Sequence, residues 1–138
     1  MKPVTLPPCT VLVVDDNVQN LELLEAYLEL PGVKTVRAQN GVEALEAVAK
    51  RPPDLILLDI MMPRMSGFEV CKKLKADPQT QHIPILVVTA LSEVSDQERA
   101  RDLGADDFVT QPVSHNDLLA RIRRLLDQRP AIQSAPPA

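Results

Sequence analysis

Five short apolar runs recur along the chain, TVLVVDD, VKTVRA, PDLILLDI, IPILVVTA and DDFVTQP, and the stretches between them follow a three-to-four-residue apolar rhythm instead. Strands buried on both faces read as near-continuous Val/Ile/Leu runs, and their alternation with helical segments is the pattern of an α/β domain with a parallel sheet. In the first helical segment Val18, Leu21, Leu24 and Leu28 share a face, while Glu22, Glu25 and Glu29 occupy others. A second helix is predicted over Gly41 to Lys50 with Leu45 and Val48 inward, and a third over Gly67 to Lys75 with Phe68, Cys71 and Leu74 inward. A fourth covers Ser95 to Leu103 and is stopped by Gly104. The fifth follows Ser114, whose hydroxyl can cap free backbone N–H groups and which has an acid three residues on, Asp117. Its apolar face is Leu118, Ile122, Leu125 and Leu126.

A chain of 138 residues, 45% hydrophobic and 25% charged, has the size and composition of one soluble domain with one core. We place that domain at residues 9–128, with residues 1–8 as an N-terminal tail. Residues 129–138, RPAIQSAPPA, form a Pro/Ala-rich tail or linker, since Pro130 ends the last helix and the segment lacks the apolar surface to fold alone. A net charge of −4 disfavours a sequence-independent grip on nucleic acid, which depends on Lys and Arg neutralising phosphates. Cys9 and Cys71 have no metal-type spacing and read as reduced thiols of a cytoplasmic protein. MKPVTLPP has no apolar core of a signal peptide, and no apolar run is long enough to span a membrane.

The chemistry gathers at the C-terminal ends of the predicted strands: Asp15 and Asp16 after LVV, Asp59 after LILL, Thr89 after ILVV and Gln111 after DFVT. Ligands of open α/β sheets bind at that rim, where strand ends from distant parts of the chain converge. Asp15 and Asp16 alone could be ordinary turn residues. A carboxylate at the mouth of a buried strand, as Asp59 is, carries a desolvation penalty unless a metal or hydrogen bonds compensate it. Three carboxylates on one rim call for a counter-charge, and Mg²⁺, a hard ion that takes carboxylate and phosphate oxygens, fits.

VLVVDD, LILLDIMMPRMSGFE, VVTA and FVTQP, in this order and spacing, resemble the receiver domain of two-component response regulators over residues 10 to 128. The resemblance implies a flavodoxin-like (βα)5 fold with strand order 2-1-3-4-5. It makes Asp59 the phospho-acceptor and gives the Mg²⁺ ligands as Asp16, Asp59 and the backbone carbonyl of Met61, with Asp15 acting through water. Thr89 would donate its hydroxyl to a phosphoryl oxygen, Phe108 would turn inward with it, and a cis bond would precede Pro112. The implied partners are a sensor histidine kinase or phosphotransfer protein and a downstream output domain or protein, with no direct contact to nucleic acid or membrane. Met61 and Leu91, apolar positions beside the acyl phosphate in this alignment, offer no base to orient water, so the phosphorylated form should hydrolyse slowly.

Gln111 departs from the resemblance, which places Lys before this Pro; no Lys follows Lys75. A neutral amide keeps about half of the ~1.5–3 kcal/mol of a charge-assisted hydrogen bond. The expectation is therefore a phosphorylated switch with weakened coupling; the alternative is a degenerate receiver that acts as a phosphorylation-independent interaction module. An enzyme is not expected: a haloacid-dehalogenase phosphatase would have DxD, and Asp59-Ile60-Met61 lacks the second acid. DDNVQN has no glycine to admit a pyrophosphate. Arg64, His82 and His115 read as solvated surface residues.

Overall fold

In the computed structural model, which describes residues 5–90 and 93–128, five parallel strands alternate with five helices. The strands are β1 (Cys9–Val14), β2 (Val33–Ala38), β3 (Leu55–Leu58), β4 (Ile85–Thr89) and β5 (Asp107–Thr110). The helices are α1 (Val18–Tyr27), α2 (Gly41–Lys50), α3 (Gly67–Ala76), α4 (Val94–Asp102) and α5 (His115–Asp127). The sheet order is β2-β1-β3-β4-β5, the flavodoxin-like order implied by the resemblance. Leu91 and residues 129–138 lie outside the described residues, and so do residues 1–4 of the N-terminal segment.

Alternation along each strand divides the core between two faces. Val11, Val13, Leu55, Leu57, Leu86 and Val88 point toward α1 and α5, where Leu21, Leu24, Leu118 and Ile122 meet them. Leu12, Val14, Ile56, Leu58, Ile85 and Val87 point the other way, onto Ala44, Val48, Phe68, Cys71 and Ala100. The central strands are buried on both sides, which is why they read as unbroken apolar runs. Packing begins before residue 9: Leu6 is buried in the first cluster, and the Thr5 carbonyl accepts a hydrogen bond from Arg123 on α5.

Local chemistry sets the helix starts. Asn17 caps α1 by accepting from the backbone of Gln19 and Asn20, and Ser66 and Ser114 cap α3 and α5 by accepting from Glu69 and Asp117. Gly104, at φ 102°, ends α4 in the left-handed region as its sequence position predicts. One inward assignment needs correction. Val18 is 43% exposed, because it lies in the first turn of α1, at the rim, where the strands have ended. On α2 the predicted inward pair is found on the core side, Val48 buried and Leu45 half-buried against the cluster, and Ala44 is buried with them, a small side chain that lets this helix sit close to the sheet.

Candidate functional site

β1 and β3 are neighbours in register, Val14 beside Leu58, so the residues that follow them must share the rim. Asp15, Asp16 and Asp59 do: one carboxylate oxygen from each lies within 4.8 Å of the others. Backbone bonds hold the group. The Asp59 N–H donates to the Val14 carbonyl at 3.0 Å, Asp15 accepts from the Asn17 N–H at 2.9 Å, and Asp59 Oδ1 accepts from the Met61 N–H at 3.1 Å. Gly67 lets the start of α3 lie against this turn, since a β-carbon there would drive into the Asp59 carbonyl oxygen and the Ile60 backbone.

The electrostatics of the cluster are unbalanced. Burial, then the charge of Asp59 and of Asp16, pushes the Asp15 carboxyl up to about 6 against the bond from Asn17. Its Oδ2 is buried with no hydrogen-bond partner. Asp59 is also raised, first by burial and further by Asp16, while bonds from the Met61 N–H and the Thr89 hydroxyl pull it back. Buried polar atoms are nearly always satisfied, so an orphaned carboxylate oxygen beside two further carboxylates fits a bound hard cation. Exposed Asp16 leaves the cluster open to solvent.

Thr89 and Gln111 complete the rim from β4 and β5. Thr89 is fully buried and bonds Asp59. Gln111 is half-buried, its N–H donates to the Thr89 carbonyl at 2.8 Å, and its peptide bond to Pro112 is cis. Gln111 lines a cavity of about 270 Å³ with Asn20, Leu23, Leu24, Pro112 and Val113. Phe108 is half-buried, and two cavities of about 200 and 220 Å³ are both lined by it and by Gln97.

Part of the positive charge is already engaged in pairs of its own. Arg37 pairs with Glu25, Lys75 with Asp106, Arg121 and Arg124 with Asp107, and Arg123 with Asp127, while Arg99 lies over the Phe68 ring at 4.1 Å. Arg64 is exposed in the β3–α3 turn at φ 67° and makes no ion pair among the described residues. His115 stacks on Tyr27 at 4.7 Å, with Nε2 2.9 Å from the Tyr27 carbonyl oxygen, so this exposed residue joins α5 to α1. Asn20 is the residue that sequence reasoning passed over. Its amide is close enough to Asp15 to favour the charged carboxylate, and its only signal was a polar side chain one helical turn past the capping Asn17.

Residues 11–123 match the family model described as the response regulator receiver domain. Response regulator PleD of Caulobacter vibrioides is 47% identical over 115 residues, 83% of this chain but 25% of PleD, so the chain spans a quarter of that relative's length. Polar-differentiation response regulator DivK of Brucella anthropi is 40% identical over 119 residues, 86% of this chain and 97% of DivK. The crystal structure of the signal receiver domain of a signal transduction histidine kinase from Syntrophus aciditrophicus shares the fold at TM-score 0.83 and 35% identity, over 94% of this chain and 98% of that one.

Proposed function

The chain belongs to the response regulator receiver family of two-component signalling, and from that premise we propose that Asp59 accepts a phosphoryl group and that the rim converts this into a change at Thr89 and Phe108. The observation that carries the proposal is the buried, unpartnered Asp15 Oδ2 beside Asp16 and Asp59, a cluster with too much negative charge to stand alone.

Asp15, Asp16 and Asp59, with the Met61 carbonyl, would hold Mg²⁺. Bound there, the ion supplies the positive charge that lets a carboxylate meet an anionic phosphoryl group. The chain's own residues do the rest. The Met61 N–H holds Asp59 Oδ1, and Asp16 keeps the cluster open to a donor. Transfer from a phosphohistidine breaks its P–N bond and forms a P–O bond to Asp59, and the imidazole keeps the departing electron pair. A histidine kinase or phosphotransfer protein is the donor this chemistry fits. The Thr89 hydroxyl, already on Asp59, would follow a phosphoryl oxygen, and the space beside Phe108 gives its ring somewhere to go.

Gln111 bears on coupling and not on the acceptor. Its amide can donate to a phosphoryl oxygen but brings no charge, so the tie from β5 to the phosphate is weaker than an ammonium would make it. Intact-protein mass spectrometry with a small-molecule phosphodonor tests the acceptor. Phosphoryl incorporation should require Mg²⁺ and vanish in Asp59→Ala; incorporation that persists in that variant would assign the acceptor elsewhere.

A further inference from the structure

The cavity beside Gln111 has a composition the phosphorylation reading does not use. Leu23, Leu24, Pro112 and Val113 give it apolar walls, Asn20 and Gln111 give it two amides, and none of the six residues lining it is charged. Leu23 is 47% exposed and Pro112 is exposed, so the apolar wall opens to the surface. The neighbouring helix α1, VQNLELLEAY, has no basic residue and two glutamates, of which Glu25 is paired with Arg37 and Glu22 is exposed without an ion pair among the described residues.

Once Asp59 carries a phosphoryl group of about two negative charges, Asp15 and Asp16 add two more, and one divalent ion leaves the rim negative. No basic residue lines the cavity, and Arg37, Lys75, Arg121, Arg123 and Arg124 are held in ion pairs with acids of other parts of the chain. We propose that the cavity seats a lysine side chain from a partner protein, its stem along Leu23, Leu24 and Pro112 and its ammonium on the carbonyl oxygens of Gln111 and Asn20. Lysine suits such a place because its four-carbon stem lies on apolar surface while the head stays with polar groups, and its three donors can serve both amides and a phosphoryl oxygen. Gln111 then works in two directions, its carbonyl accepting from the ammonium and its NH₂ donating to the phosphoryl group. A partner would thereby bring the charge that completes the switch.

The inference rests on phosphorylation at Asp59, and its test separates the two. Nα-acetyl-lysine N-methylamide, lysine as it stands within a chain, is titrated into the Mg²⁺-loaded protein with and without beryllofluoride, and side-chain amide signals are followed by NMR. Saturable shifts of Gln111 and Asn20 are expected, with beryllofluoride bound about five-fold more tightly, at the low end for coupling between two sites. The norleucine counterpart, which has a stem and no ammonium, should do neither, and Gln111→Lys, which fills the seat from within, should be insensitive. Absent shifts, equal shifts from norleucine, or an undiminished effect in Gln111→Lys overturn the seat. Tighter saturation by spermidine than by the lysine probe would assign the seat to a free polyamine and overturn the partner. If beryllofluoride fails to bind, the phosphorylation reading falls, and the shifts without it still decide the seat.

Discussion

Asp59 and Gln111 end two strands of one sheet, yet the chain holds them differently. Asp59 is fixed through its N–H to Val14, through Oδ1 by the Met61 N–H, and by the Thr89 hydroxyl, with Gly67 pressed behind its carbonyl. Gln111 is tied by its backbone to Thr89, its side chain makes no hydrogen bond among the described residues, and the residue borders a cavity. The acceptor side is charged and over-determined; the β5 side is neutral and has room around it. On the proposed reading, accepting a phosphoryl group and responding to it are separable, and mutations should split them.

The largest effect belongs to the acceptor side. Asp59→Ala should abolish phosphoryl incorporation, and the wild type should show none when Mg²⁺ is chelated; labelling of either sample would erase the distinction between the two sides. Next, Gly67→Ala should lower the unfolding free energy by about 2–3 kcal/mol, the upper range for overpacking, because the added carbon meets backbone that cannot yield. Urea denaturation reads this directly, and an unchanged midpoint would mean the turn is looser than its bonds suggest. Met61, 53% exposed beside the Asp59 carboxylate, should leave incorporation intact when changed to Glu yet shorten the lifetime of the phosphorylated form by about tenfold, less than the ~100-fold of a well-aligned base. A lifetime that does not move would remove the water-orienting explanation.

The smallest effect belongs to the β5 side. Gln111→Lys should leave incorporation unchanged and strengthen the response by about 1 kcal/mol, roughly five-fold, the part of a charge-assisted bond that an amide lacks. It would be seen as larger analogue-induced NMR shifts around Phe108 and α4. A wild type that already responds fully, with no gain in the variant, would show that the neutral rim is no handicap.

The sheet and its acids were legible because each depends on a pattern that burial enforces. Central strands covered on both faces must be apolar throughout, so LILL and ILVV announced β3 and β4, and a carboxylate after such a run stands out. Helix faces were read less accurately where geometry at an element's end or a close approach decides, as at Val18 and Ala44. The cavity beside Gln111 was not legible, because it joins Asn20 and Leu23 on α1 to a turn about ninety residues later. Asp107, the first residue of β5, is an ion-pair hub, since Arg121 and Arg124 reach it from α5 at 3.0 and 2.8 Å. Sequence spacing carries no mark of either meeting.

The hydrogen bond from Arg123 to the Thr5 carbonyl, at 2.9 Å, places the last turns of α5 beside the chain just before β1. Both lie at the floor of the sheet, opposite the acids, because α5 runs back from the rim that β5 reaches. Cargo joined at either side of the domain thus departs from the same place, and the rim stays unobstructed. A short bridge between these two points, with new ends opened in a rim-distant turn, would give a circular permutant that keeps every strand neighbour. A pair of fluorophores fused there would report on their own separation without standing in the path of a docking protein.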